Sequence, residues 1–112
     1  GLISGIASVF KQLSPKTKII GVVSSGANAI KQSFENKKVI NSKSVKTIAD
    51  GIAVRDTTSK MLDLVLELVD NIIEVSDTEI PNAILFLLEN HKLVVEGAGA
   101  VGIAAIMHNK ID

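Results

Sequence analysis

The sequence predicts an α/β fold, part of a three-layer structure in which a small parallel sheet is flanked by helices. Three observations carry this. Apolar residues recur at helical spacing in several segments. Two short runs rich in β-branched residues, Lys18–Val23 and Asn71–Val75, stand between those segments. Hairpin signals are few, so strands alternate with helices as parallel sheets require. Two strands make a thin sheet for this class, which points to further strands supplied from outside these residues.

Each element has a local reason. Leu2, Ile3, Ile6, Val9, Phe10 and Leu13 form one stripe, so a helix is expected over residues 2 to 13, ended by Pro15. Lys18–Val23 reads as a buried strand, Ser24-Ser25-Gly26 as a turn and Ala27–Phe34 as a second helix. Residues 35 to 46 are polar apart from Val39-Ile40. The run from Met61 to Val69 predicts a strongly apolar helix, and residues 71 to 75 the second strand. Ser76-Asp77-Thr78-Glu79 has the form of a capping box, in which Ser76 and Glu79 satisfy each other's backbone N–H. A helix to about Glu89 should follow, with Pro81 tolerated in its first turns. Asn90, His91 and Lys92 suit its end, where cations meet the negative pole of the dipole. A last helix is expected over Val94–Met107.

Composition narrows the function classes. The chain has 112 residues, enough for one domain. Twelve basic residues balance twelve acidic ones, so net charge gives no reason to expect nucleic acid or an anionic membrane as partner. There is no Cys, which excludes disulfides and thiol chemistry. The longest apolar stretch, Gly97–Met107, is shorter than the roughly 20 residues of a spanning helix, and a cytoplasmic location is expected. Only Phe10, Phe34 and Phe86 are aromatic, and the mean hydropathy of +0.37 is high for a small domain. Apolar surface in such a chain predicts burial in a larger domain or a homo-oligomer. The chain does not begin with Met, so residues 1–112 are read as a single incomplete domain, an internal fragment.

Five features invite chemistry. Gly1-Leu2-Ile3-Ser4-Gly5 precedes a helix, where backbone N–H groups and the dipole attract a phosphate; the bland alternative is a chain end that happens to contain glycine. Gly97-Ala98-Gly99-Ala100-Val101-Gly102 matches the dinucleotide pattern G-x-G-x-x-G, which would make the chain part of a nicotinamide-dependent oxidoreductase. That pattern requires a preceding strand and an acidic residue about 20 positions on. The chain ends ten residues after Gly102, and Glu96 would face the pyrophosphate. Close helix packing explains the small residues better. Asp50-Gly51 reads as a hairpin turn. His91 and His108 are expected to be solvated dipole partners, and Asp63, Glu67, Asp70 and Glu74 a solvated helix face. No metal site is expected.

The order of the motifs is more specific than any one of them. Gly-Leu-Ile-Ser-Gly-Ile-Ala, Lys-Ile-Ile-Gly-Val, Thr-Ile-Ala-Asp-Gly-Ile-Ala-Val and Val-Val-Glu-Gly-Ala-Gly-Ala follow one another along the chain. This succession resembles the threonine dehydratase family, which includes serine dehydratases and serine racemases, over essentially the whole length. The resemblance implies the large domain of a type II pyridoxal-phosphate enzyme. It also implies elimination of water from L-threonine or L-serine, giving a 2-oxo acid and ammonia. Gly1 and Leu2 would be the tail of the loop that wraps the cofactor phosphate. Gly51 would bring backbone close to the pyridoxal ring, with Glu96 near the ring and Gly97 beside it.

The departures from the family pattern are equally definite. The family's cofactor-bearing lysine lies in a Ser-Phe-Lys-x-Arg-Gly type of segment before the glycine loop, and none of Lys11, Lys16 or Lys18 sits in one. No catalytic residue is therefore assigned within this chain. The Asn that contacts the cofactor hydroxyl and the Ser that meets the pyridine nitrogen are also outside it. Racemase-like members bind a divalent cation in the region matching residues 23 to 29; Val23 and Ala29 stand there and disfavour that site. Beside the dehydratase reading stand the nicotinamide reading and a non-catalytic ligand-binding or assembly domain.

Overall fold

A computed structural model describes all 112 residues. The order of elements is α1 (Leu2–Leu13), β1 (Ile20–Ser24), α2 (Ala29–Asn36), a 3-10 turn (Asp50–Ile52), α3 (Ser59–Leu68), β2 (Asn71–Val75), α4 (Glu79–His91) and α5 (Gly97–Met107). The two strands run parallel, in register from Ile20 opposite Asn71 to Ser24 opposite Val75. Side chains alternate across the pleat and feed two cores. On one face Ala7 of α1 and Val65 and Val69 around α3 bury against Ile72, with Val23, Ile30 and Phe34 packed around them. On the other, Val75 meets Ile80, Ala83 and Leu87 of α4 and Ala100, Val101, Ala104 and Ala105 of α5, with Val22 and Ile73 alongside. The result is helices, sheet, helices. Helices on both faces are what parallel strands need, since both faces are apolar.

The expected α1 and β2 match residue for residue, and the other boundaries move by a few residues. The first strand starts at Ile20 rather than Lys18 and extends to Ser24, and α2 runs from Ala29 to Asn36. Thr58 caps α3, its hydroxyl accepting the Met61 N–H at 3.2 Å, so this helix begins before Met61. The last helix starts at Gly97, not Val94: Val94 lies outside any helix or strand and is 92% exposed. Val39-Ile40 forms no strand. Asp50-Gly51 belongs to a 3-10 turn, not a hairpin, because the chain on either side has no strand partner.

The capping box forms as written. Glu79 Oε1 accepts the Ser76 N–H at 2.9 Å, and Ser76 Oγ accepts the Glu79 N–H at 3.1 Å. Helix α4 ends with Lys92 in the left-handed region (φ 58°), and the N–H groups of Lys92 and Leu93 reach back to the carbonyls of Leu88 and Leu87 at 3.2 and 3.1 Å. His108 is half-buried, not solvated. Its Nδ1 lies 3.6 Å from Glu79 Oε2, as does Lys110 Nζ, and its buried Nε2 has no hydrogen-bond partner. The expected acidic face also divides. Asp70 accepts the Ile19 N–H at 2.7 Å and pairs with Lys11, whereas Glu74 lies in β2 and accepts from Asn28 at 3.1 Å.

The Ser76 N–H bond, aided by Lys110, Ser76 and His108 and opposed by burial, holds the Glu79 carboxyl below its ordinary range. A lowered folded-state value means that the ionised form is favoured in the fold. This stabilisation is complete above about pH 4.3, the ordinary glutamate value, and is lost as pH falls through the lowered value. Thermal denaturation between about pH 3 and pH 6 should therefore show an acid-side loss of stability that shrinks in Glu79→Gln. An unchanged pH profile in that variant would remove Glu79 as its source.

Candidate functional site

In a parallel sheet, ligands gather outside the carboxyl ends of the strands. Here that edge is built from three chain segments. The first is the turn after β1. Ser24, fully buried, accepts the Gly26 N–H on its hydroxyl at 3.1 Å, and the Gly26 carbonyl accepts the Lys46 N–H at 3.0 Å. The second is the strap of residues 46 to 52. The third is Asp77, just beyond β2. Its Oδ1 accepts the Thr47 hydroxyl at 2.7 Å and, more weakly, that of Ser24 at 3.4 Å, while Oδ2 accepts the Ile48 N–H at 3.0 Å. These bonds seat the strap on the carboxyl ends of the two strands.

At the start of α5, Gly97 lets two backbones touch. A Cβ built there would stand 3.0 Å from Ala49 Cα and 3.1 Å from the Ile48 carbonyl oxygen. One turn of chain further, Gly51 faces the same helix end, where an added Cβ would be 3.0 Å from Ala98 Cβ and 3.4 Å from Glu96 Oε1. Glu96 is the N-cap residue of α5 in extended conformation, with its carboxylate turned toward Gly51. The structure thus brings Gly51, Glu96 and Gly97 together, although about 45 residues separate them in sequence.

Gly1 and Leu2 join from α1. A cleft of about 650 Å³ runs along the edge of β1 that is not paired with β2. Gly1, Leu2 and Ile3 line one side, Gly51, Ile52 and Ala98 the other, and Val22 and Val23 the floor. No side chain caps α1 and no acidic residue lies in its first turn. The first-turn N–H groups, which have no partner within a helix, are therefore free to meet an anion. Gly97 packs behind this wall and does not line the cleft. Lys18 is the one lysine along it, before the amino end of β1 and so at the far end from Ser24 and Asp77.

Other expectations can be placed against this geometry. Residues 97 to 102 lie inside α5, no strand leads directly into them, and no glycine has a positive φ. The dinucleotide loop is not formed; the small residues serve helix packing, with Ala100, Ala104 and Ala105 fully buried. No group of three His, Asp or Glu side chains is arranged to hold a metal ion. No helix is long and apolar enough to cross a membrane. The residues that reasoning from sequence missed are Ser24, Gly26, Thr47 and Asp77. Their traces in the sequence were Asp77 inside the capping box, the turn at Ser24-Ser25-Gly26 and Thr47 at the head of the Thr-Ile-Ala-Asp-Gly segment.

Comparison with known proteins agrees with the geometry. The family model for pyridoxal-phosphate dependent enzymes matches residues 1–112. An L-threonine ammonia-lyase of Thermotoga maritima is 42% identical over all 112 residues, which cover 28% of that protein. The catabolic L-threonine dehydratase TdcB of Escherichia coli K12 is 38% identical over the whole chain and 34% of its own length. Among solved structures, a threonine deaminase from T.th. superposes with a TM-score of 0.92 at 31% identity, over 97% of this chain and 40% of that one. Maize serine racemase gives 0.91 at 36% identity, over 97% and 33%. The chain spans about a third of the length of the curated relatives it matches. With a family model matched from end to end and the same fold in solved relatives, this chain belongs to the pyridoxal-phosphate-dependent enzymes.

Proposed function

We propose that this chain forms one wall of the cofactor pocket of an L-threonine or L-serine ammonia-lyase, within its catalytic domain. The observation that carries the reading is the single cleft that joins the uncapped start of α1 to Gly51 and the start of α5. The residues present fit the group. The α1 terminus offers N–H donors and a positive dipole to a phosphate. Gly51 leaves open the space that a side chain would fill against Ala98 and Glu96, which suits the approach of a flat ring. Pyridoxal phosphate, when bound, supplies the electron sink for loss of the α-proton and the β-hydroxyl.

The chain's own residues would bind and enclose. Gly1 and Leu2 hold the phosphate. Gly51 and Glu96 flank the ring, and Gly97 allows the strap to sit close behind them. Ile52, Ala98 and Val101 make the wall apolar and keep water out. The Thermotoga maritima and Escherichia coli relatives support the choice of threonine. The same reading places the protein in the cytoplasm and in a homo-oligomer.

Lys18 is the one lysine lining the cleft and it lies at the end away from the carboxyl edge, so no acid–base group for the reaction is assigned here. The test is 2-oxo acid formation by the intact protein, loaded with pyridoxal phosphate, from L-threonine and L-serine. Turnover of either is expected, and none by residues 1–112 alone. Failure with both substrates, or turnover by residues 1–112, would overturn the reading.

A further inference from the structure

We propose that Asp77 is a positioning residue for the cofactor pocket: its carboxylate holds the Thr47–Ile48–Ala49 strap on the start of α5 and so sets the wall made by Gly51 and Glu96. The inference rests on the pocket reading above. Asp77 touches neither the cleft nor Gly51 directly. It acts through a directed chain of bonds. The Thr47 hydroxyl donates to Oδ1 at 2.7 Å and in turn accepts the Ala49 N–H at 3.1 Å. The Ile48 N–H donates to Oδ2 at 3.0 Å. The N–H groups of Ile48 and Ala49 thus end, directly or through one hydroxyl, on one carboxylate.

Besides these bonds the strap is held by the Lys46 N–H on the Gly26 carbonyl and by the burial of Ala49. It has no strand partner, and Ile48 is an exposed apolar residue. What it positions is specific. Ala49 is fully buried, and its backbone meets Gly97 at the closest approach the missing side chain allows. The 3-10 turn that follows places Gly51 over Ala98. Through Ser24 the same carboxylate also ties the strap to the end of β1. One acidic side chain therefore links the ends of both strands to the wall of the cleft. The site asks for acceptors only. An amide at position 77 would turn a donor toward either the Thr47 hydroxyl or the Ile48 N–H. A pocket tolerates little drift, since displacements of about 0.5 Å already degrade a binding constellation.

The experiment compares the intact wild-type protein with Asp77→Asn, Thr47→Val and Thr47→Ser. It reads the dissociation constant for pyridoxal phosphate and, without cofactor, amide hydrogen exchange over residues 47 to 52. Loss of a charge-assisted bond should weaken cofactor binding by about ten- to a hundred-fold in Asp77→Asn and Thr47→Val. Thr47→Ser, which keeps the hydroxyl, should stay within about twofold of wild type. Exchange should quicken at Ile48 and Ala49 in the two damaging variants while α3 and α4 keep their protection. If the wild type binds cofactor and both variants bind it equally well with unchanged exchange, Asp77 positions nothing. Weakened binding in Thr47→Ser as well, with protection lost throughout the chain, would mark a general structural role and also overturn the proposal. A wild type that does not bind cofactor at all would defeat the pocket reading itself, and this inference with it.

Discussion

Gly26→Ala is expected to destabilise the protein by about 3 kcal/mol, the upper part of the range for overpacking. A Cβ at this position would stand 1.8 Å from the Lys46 carbonyl oxygen and 2.9 Å from its carbon. Both are backbone atoms, so no side-chain rotation relieves the clash. Relief requires the strap to lift away from the turn after β1. That movement breaks the bond from the Lys46 N–H to the Gly26 carbonyl and pulls Thr47 from Asp77. Against a total stability of about 5–15 kcal/mol, the loss is large. Urea denaturation should show a clear fall in midpoint with little change in slope. An unchanged midpoint would mean that the strap is not seated on this turn.

Gly51→Val is expected to do the opposite: to spare stability and remove cofactor binding. Gly51 is exposed, and its nearest neighbours are the Ala98 methyl at 3.0 Å and the Glu96 carboxylate at 3.4 Å from a built Cβ. The Glu96 side chain can swing away, and the Ala98 methyl must yield by a few tenths of an ångström, so the fold should lose about 1 kcal/mol. The added branches, however, would project into the space assigned to the ring. Overpacking of about 1–3 kcal/mol against the bound cofactor corresponds to roughly ten- to a hundred-fold weaker binding. Gly51→Ala should fall between wild type and valine. Fluorescence titration with pyridoxal phosphate measures the series. Equal affinities across the three proteins would place the ring elsewhere.

Much of the fold was legible because local signals and tertiary packing agree. The Ser76–Glu79 box needs only four residues to form, and the α1 stripe marked its helix from Leu2 to Leu13 although Leu2, Ile6, Val9, Phe10 and Leu13 lie exposed and the buried face carries Ser4 and Ala7. The start of α5 was not legible. Its residues are apolar on all sides, so periodicity cannot mark where it begins, and Val94-Val95 read as helix by composition alone. Asp50-Gly51 carried a true turn signal, but the turn's type follows from the strap's bonds to Gly26 and Asp77, which lie far off in the chain.

The site divides in the same way. Spacing alone could not unite Gly1, Gly51 and Glu96; the succession of motifs did, through resemblance to a family. The geometry then placed Gly1, Leu2 and Gly51 along one cleft, with Glu96 turned toward Gly51 and Gly97 behind. Asp77 escaped because its partners are 30 residues away at Thr47 and 53 away at Ser24. No local pattern reports such a bond. His108 was misread for a related reason: a helix-end histidine reads as solvated unless the partner, here Glu79 of another helix, is known.

The central claim is that this chain walls a pyridoxal-phosphate pocket that processes threonine. The most direct test is the visible absorption spectrum of the intact protein, recorded with added pyridoxal phosphate before and after L-threonine. The account predicts a protein-bound cofactor band that shifts when threonine is added, with 2-oxo acid accumulating. A protein that acquires no such band, or whose band ignores both threonine and serine, would contradict it.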